Sequence, residues 1–218
     1  MNSANAGWTA AKSERFAGMH IHEIQAMMGT VVEEAPKIVG MMERNTNVTD
    51  IPSEFDARQK WGKCIHEVEN QEKCGSCWAF SATEALSDRL CISGTGSDSL
   101  ILSPQELVSC DSMDGGCNGG RLNTAWRYMT ESGVPDRECE PYTSGEGQSG
   151  SCPSTCKDGS AKKRYFAKSY YSVVSFFDSD ARRVEKMQKE LLANGPIQVA
   201  FTVYQVRTPA DPAAAAVA

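Results

Sequence analysis

The residue best suited to chemistry is Cys77, a thiol at the predicted start of an α-helix. Behind it, Ala82, Leu86 and Leu90 fall at helical spacing, and no glycine or proline occurs before Gly94. A thiol attacks as the thiolate, and a free cysteine with a pKa near ~8.5 is mostly protonated at neutral pH. The N–H groups and aligned peptide dipoles at a helix N-terminus favour the thiolate. The sequence therefore predicts a partly activated nucleophile.

The Cys74–Cys77 spacing also allows two other sites. A thioredoxin-like redox pair begins a helix in the same way, but it follows a buried strand, whereas residues 67–73 are polar and charged. A zinc site needs a second ligand pair, and Cys152 and Cys156 have no histidine near them. Both alternatives are disfavoured, and no metal is predicted.

The cysteine count is odd. Of 9 cysteines, eight can pair once one is reserved as a free thiol, and eight cysteines allow 105 pairings that spacing cannot choose between. A set of purely structural bridges is compatible with everything except the odd number. Either way the pattern indicates an oxidising compartment.

Length and charge exclude other classes. A chain of 218 residues suffices for one or two cored units. The net charge of -6 argues against nucleic acid as a partner, because phosphates require a basic face. No apolar run approaches the ~20 residues of a membrane span, so no membrane partner is predicted. Residues 1–11 lack the basic head and apolar core of a secretory leader, which conflicts with the disulfides.

Local patterns predict the elements that position the thiol. Ser103 as N-cap, Pro104 at the first helical position, Glu106 three residues after the cap and a Leu102–Leu107 staple predict a short helix.

Two more helices and one strand are predicted further along. Residues 122–129 have one apolar face, which we expect to belong to the core, and Gly133 can close that helix. Residues 184–191 mark another face, ended by residues 194–196. Residues 197–203 then alternate as a half-buried strand.

Residues 71–80, Q-E-K-C-G-S-C-W-A-F, resemble the active-site segment of papain-like cysteine peptidases. Residues 51–58, 117–120, 139–142 and 194–196 are similar to landmarks of the cathepsin B-like branch, in the same order. The resemblance implies an α+β papain-like fold of two domains, one helical and one a β-barrel, with a cleft between them. The helical domain is largely present and the barrel is incomplete.

The resemblance also implies a division of the chain. Residues 1–50 are similar to a propeptide, which in this family blocks the cleft until it is removed. Residues 51–205 form a papain-like peptidase domain whose C-terminal part is missing. Residues 206–218, rich in alanine and proline, are expected to be foreign or frameshifted sequence.

The site residues follow from the same resemblance. Cys77 is the expected nucleophile, and the side-chain amide of Gln71, with the backbone N–H of Cys77, forms the expected oxyanion hole. The expected substrate-binding residues are Gly75, Trp78, Gly119 and Gly120. The implied disulfides are Cys64–Cys91, Cys74–Cys117, Cys110–Cys152 and Cys139–Cys156, which leave Cys77 free.

The base that such a thiol needs is not found. In papain-like enzymes the histidine and asparagine lie roughly 130 to 150 residues beyond the nucleophile. The histidines here, His20, His22 and His66, all precede Cys77, and we expect them to be satisfied surface residues. The chain is thus interpreted as a cysteine-type endopeptidase by family, inactive as given. The alternatives are a pseudo-peptidase and a disulfide-rich binding, structural or redox protein.

Two departures from the family pattern stand near the cleft. Glu72 and Lys73 replace a small pair led by glycine. The loop that in cathepsin B carries two histidines and occludes the cleft is missing, since residues 143–151 contain no histidine.

The expected substrates are peptides or proteins, cut internally, and the propeptide is the expected inhibitor. No cofactor is expected, and the expected location is lysosomal, vacuolar or secreted.

Overall fold

The computed structural model describes residues 14–32, 46 and 48–203. Three short 3-10 helices span Glu14–Phe16, Gly62–Cys64 and Gly116–Asn118. The α-helices are α1 Ile21–Ala26, α2 Ala57–Trp61, α3 Cys77–Ile92, α4 Pro104–Cys110, α5 Leu122–Glu131 and α6 Asp180–Asn194. Outside helices, the described backbone pairs through isolated β-bridges. The predicted tail, residues 206–218, lies outside the described residues.

The helix α3 is the centre of the hydrophobic core. Ten of its 16 residues are buried, which is the pattern of a helix surrounded by other elements. It packs against α4 and α5, and Trp78, Leu107 and Met129 are fully buried between them. The sequence prediction for this helix is confirmed, including its end before Gly94.

The helix α4 begins as the sequence predicts, but the side chain of Glu106 has different partners from those that the capping motif predicts. The hydroxyl of Ser103 accepts the N–H of Glu106, and Pro104 occupies the first turn. The carboxylate of Glu106 does not turn back to the cap; it binds Lys162 at 2.6 Å and Arg164 at 2.8 Å. A fully buried carboxylate requires charged partners, and these outcompete the local cap.

The helices α5 and α6 are confirmed, whereas the predicted strand is wrong. Gly133 follows α5 with a φ of +71°, in the left-handed region that glycine favours. Residues 195–203 have no regular structure. Alternation describes two faces, but a strand also needs a neighbouring strand for its N–H and C=O groups, and none of the described residues supplies one.

Four disulfides link the described residues, in the pairing that the family resemblance implies. They are Cys64–Cys91, Cys74–Cys117, Cys110–Cys152 and Cys139–Cys156. The Cys74–Cys117 bridge ties the turn before α3 to the loop that carries Gly119 and Gly120. Because Cys74 bonds to Cys117, it does not form a redox pair with Cys77 in this structure, and Cys77 is free.

Among the described residues, no helix combines the length and the apolar character that crossing a membrane would require.

Candidate active site

Cys77 is the first residue of α3, so its side chain lies at the positive end of the helix. The fully buried Ser76 is the N-cap residue. The Sγ atom of Cys77 is 3.3 Å from the hydroxyl oxygen of Thr30. The Cys77 thiol is therefore half-buried beneath a residue from the N-terminal segment.

The N-terminal segment passes the thiol as an extended chain. Its backbone pairs with Gly120 in a parallel bridge at Thr30. The N–H of Gly120 donates to the carbonyl of Gly29 at 2.8 Å, and the N–H of Val31 donates to the carbonyl of Gly120 at 2.9 Å. Gly119 and Gly120 thus form one wall of a groove, and this wall pairs with peptide backbone beside the Cys77 thiol.

Gln71 contacts the same segment on the other side of the thiol. Its side-chain amide donates to the carbonyl of Met27 at 2.7 Å and to the carbonyl of Cys74 at 2.7 Å. An amide group held in this way can present its N–H to an oxygen of a chain lying over Cys77.

Several glycines allow the close approach of the two backbones. A Cβ atom at Gly29 would overlap the carbonyl of Gly75, and one at Gly75 would lie 2.8 Å from the carbonyl of Ala26. Gly119 has a φ of +109°, and a Cβ there would lie 2.8 Å from the carbonyl of Gly29. The structure therefore brings Gln71, Gly75, Gly119 and Gly120 together around residues 26–30, which run from the end of α1 to the bridge at Thr30.

Trp78 lies behind the groove and is fully buried. Its indole N–H donates to the carbonyl of Gly116 at 3.0 Å, and a Cβ at Gly120 would overlap its ring. The amide of Gln198 donates to the Trp78 carbonyl at 2.8 Å. Trp78 thus supports the wall that pairs with the segment.

His66, although upstream of the thiol, is well anchored. Its Nδ1 is 2.6 Å from the carboxylate of Asp88, and its Nε2 is 3.2 Å from the carbonyl of Asp98. The side chain is only 9% exposed, so it is satisfied as expected but is not a surface residue. His20 and His22 are exposed and stack on each other.

One group of side chains has the composition of a cation site. Glu106, Cys110 and Glu140 lie close together. The sulfur of Cys110 is bonded to Cys152, however, and both carboxylates bind the Lys162 ammonium, which takes the place of a cation between them.

Four carboxyl groups away from the thiol have a raised pKa, and one of them, Asp88, is raised mainly by burial and lowered in part by its hydrogen bonds to His66. Burial, reinforced by the nearby Asp88, raises the pKa of Glu84 to about 7. Burial and the adjacent Glu106 raise the pKa of Glu140 to about 7. Burial, with the neighbouring Asp114, raises the pKa of Asp111 to about 6.

Sequence reasoning did not single out Thr30, Gln105 or Gln198 as site residues. Gln198 bonds to Trp78 from 120 positions further along the chain, and Thr30 meets Cys77 from 47 positions before it. Neither contact has a local sequence signal, because both depend on the tertiary fold.

A free thiol at the start of a helix, beside a paired peptide backbone, is the arrangement expected of a cysteine peptidase. Residues 51–208 match the sequence profile described as papain family cysteine protease. The chain belongs to this family and is, by family, a cysteine peptidase.

Known relatives narrow the comparison to the cathepsin B-like branch. The chain is 37% identical over 205 residues to cathepsin B-like CP3 of Giardia intestinalis, covering 94% of this chain and 67% of the relative. It is 33% identical to a cathepsin B-like cysteine proteinase of Schistosoma japonicum, covering 92% of this chain and 66% of the relative. The structure matches proCathepsin B S9 of Trypanosoma congolense with a TM-score of 0.75 at 28% identity, covering 88% of this chain and 66% of that one.

The match to that structure shows that the fold is papain-like, of the α+β class, with helices and few strands among the described residues. The chain spans about two thirds of the length of these relatives.

Proposed function

We propose that this protein is a cathepsin B-like cysteine endopeptidase in which Cys77 attacks peptide bonds. The observation that carries the proposal is the groove itself, where an extended backbone pairs with Gly120 while its Thr30 hydroxyl lies on the thiol. A groove that pairs with backbone at the level of a nucleophile fits a peptide substrate.

The residues have the roles that acyl transfer requires. The Cys77 thiolate bonds to the carbonyl carbon, and the carbonyl electrons move to an oxygen that the Gln71 amide stabilises together with the Cys77 N–H. The C–N bond then breaks, the amine leaves with the proton that the thiol released to solvent when it became the thiolate, and water hydrolyses the thioester to give the acid and restore the thiol. Gly75, Gly119 and Gly120 hold the substrate backbone, and Trp78 supports them.

We propose low turnover for the 218-residue polypeptide itself. The leaving amine needs a proton, and His66 is bound to Asp88 and to the carbonyl of Asp98. The exposed His20 and His22 belong to the segment that precedes the thiol. General acid–base help is typically worth about 10²- to 10⁴-fold in rate. Rapid cleavage of fluorogenic peptides by this polypeptide, lost in Cys77→Ser, would contradict the proposal of low turnover.

The chain division proposed from the sequence is consistent with this groove. Residues 1–50 act as a propeptide and inhibitor, and residues 51–205 form the peptidase domain. Residues 206–218 are proposed as a tail foreign to the family, although the family profile covers the first three of them, residues 206–208. The contacts of Gly29 and Thr30 with the groove support the inhibitory role.

A test of this proposal measures the access of a small reagent to the thiol. Iodoacetamide should modify Cys77 selectively at mildly acidic pH, because the other cysteines are in disulfides. Gly29→Ala should accelerate the reaction strongly, since its added methyl group cannot fit against Gly75. Thr30→Val, which keeps the shape of the side chain, serves as the matched control. An unreactive Cys77 in all three proteins would favour a structural role instead.

The preference for internal cleavage rests on residues 143–151. Ser149 of this stretch accepts the N–H of Cys117, and Gln105 donates to its carbonyl, so the loop is held beside the wall. An active form should therefore cut long peptides with free or amidated C-termini equally well. Release of C-terminal dipeptides as the main product would contradict an open cleft.

The proposed location is a lysosome or vacuole, or outside the cell. Four disulfides among the described residues support an oxidising compartment. A diffuse cytosolic distribution of the tagged protein would contradict it.

A further inference from the structure

Tyr142 connects the two residues that flank the turn before the nucleophile. Its hydroxyl donates to the carbonyl of Gln71 at 2.9 Å and lies 3.0 Å from the hydroxyl of Ser76. A phenol has one proton, which here goes to Gln71, so the Ser76 hydroxyl is the donor in the second bond. One oxygen atom thus holds the backbone of Gln71 and the N-cap residue of α3 at a fixed separation.

The ring of Tyr142 is fixed by the nucleophile's own helix. It packs edge to face on Phe80, with ring centroids 4.7 Å apart and planes at 75°. Phe80 lies one turn after Cys77. Burial raises the pKa of Tyr142, so its hydroxyl keeps its proton and stays a donor across the acidic and neutral range.

The turn that Tyr142 holds is under strain. Glu72 has a φ of +56°, a left-handed conformation that is unfavourable for a non-glycine residue. The turn is fixed by the N–H of Glu72 on the Asn70 side chain at 3.0 Å and by the N–H of Lys73 on the carbonyl of Gly145 at 2.9 Å. Such a conformation persists only where its surroundings enforce it.

The buried Gln105 anchors the loop to which Tyr142 belongs. Its side-chain carbonyl accepts the N–H of Thr143 at 2.7 Å and that of Ser144 at 3.1 Å. Further along, the hydroxyl of Ser149 accepts the N–H of Cys117 at 2.9 Å. The loop is therefore a rigid support that contacts both walls of the groove.

We propose that Tyr142 is a positioning residue that sets the place of the Gln71 amide relative to Cys77. It acts through the carbonyl of Gln71 and the hydroxyl of Ser76, without contacting the substrate. The inference rests on the proposed function, because it explains how Gln71 is held ready as an oxyanion donor.

The first arm of the test does not require chemistry at the thiol. Tyr142→Phe keeps the ring on Phe80 and removes only the hydroxyl, and we expect amide hydrogen exchange of residues 72–76 in the full chain to accelerate roughly two- to tenfold. Tyr128→Phe is the matched control, since its hydroxyl bonds to Glu106 instead. Unchanged exchange of residues 72–76 in Tyr142→Phe would overturn the proposal.

The second arm separates positioning from simple loosening. Iodoacetamide alkylates sulfur without forming an oxyanion, whereas a peptide aldehyde adds to the thiolate and places its oxygen near Gln71. Made in the Gly29→Ala background, which displaces the segment that covers the thiol, Tyr142→Phe should weaken aldehyde binding roughly two- to tenfold and change alkylation less than twofold. A parallel change with both reagents, or unchanged aldehyde binding, would overturn the positioning role.

The two arms also distinguish this inference from the proposed function. If Cys77 reacts with neither reagent in Gly29→Ala, where the covering segment is displaced, the proposed function fails. Hydrogen exchange then still decides whether Tyr142 holds the turn at residues 72–76.

Discussion

Two regions of the molecule are held together in different ways. Ten of the 16 residues of α3 are buried, and α5 packs its buried face, with Ala125 and Met129, against it. In residues 169–203, the helix α6 has 15 residues of which only Glu190 is buried, and Phe177 before it is 92% exposed. A cavity of about 940 Å³ lies between α3, α5 and residues 166–174 and 196–200. The difference teaches that the thiol stands on a packed core, whereas α6 is attached mainly by polar contacts.

The polar attachment of α6 centres on one ion pair with α3. The guanidinium of Arg89 binds the carboxylate of Glu190 at 2.9 Å and the carbonyl of Pro196 at 2.7 Å. Asn194 donates to the same carboxylate at 3.0 Å. Such contacts fix orientation, but they bury little apolar surface.

The largest expected difference between the regions comes from one substitution made in each. Met129→Ala should lower the free energy of unfolding by about 2 to 5 kcal/mol, because Met129 is fully buried in α5. Met187→Ala should cost about 1 kcal/mol or less, since the half-buried Met187 already borders the cavity. Denaturant unfolding followed by circular dichroism measures both. Equal costs would show that the two regions pack alike.

A smaller and local effect is expected at the attachment of α6. Glu190→Ala leaves the Arg89 guanidinium without its carboxylate and should cost about 1.5 to 3 kcal/mol. Hydrogen exchange should accelerate in residues 180–194 and stay unchanged in residues 77–92. Glu185→Ala, which removes a solvent-screened pair with Lys189, is the control and should leave the stability nearly unchanged. Equal acceleration in both helices would mean that they unfold as one unit.

The smallest expected effect is a dependence on pH that differs between the regions. The folded-state pKa of Glu84 on α3 is raised from 4.5 to about 7, so its protonated form stabilises the fold below pH 4.5 and that stability is lost as pH rises to 7. On α6 the Lys189 ammonium lowers the pKa of Glu185, so that region changes only at acidic pH. The free energy of unfolding, measured at pH 5 and at pH 7, should therefore be lower at pH 7. In Glu84→Gln the difference between the two pH values should be smaller, by less than ~1 kcal/mol. An identical decline in Glu84→Gln would assign it to other groups.

The sequence predicts the elements of the packed region better than those of the other. Helical spacing after Cys77 and the cap at Ser103 are local signals, and both helices begin where these signals lie. The strand expected at residues 197–203 is not present, because alternation of side chains does not provide a pairing partner.

In the candidate site, too, local sequence signals predict only part of the arrangement. The positions of Cys77 and Gln71 follow from a continuous motif, whereas the contact of Thr30 with the thiol depends on how a distant segment crosses the groove. The ion-pair partners of Glu106 could not be predicted either, since Lys162 and Arg164 lie 56 and 58 positions away along the chain.

The contact between Gly120 and the indole of Trp78 has a consequence for motion. A wall made of bare backbone and resting on a fully buried ring has no side chain of its own that could swing aside. Its carbonyl and N–H groups cannot move towards the core unless the indole beneath them is displaced, and that ring belongs to α3. The face of the groove at Gly120 therefore has the packed core directly behind it.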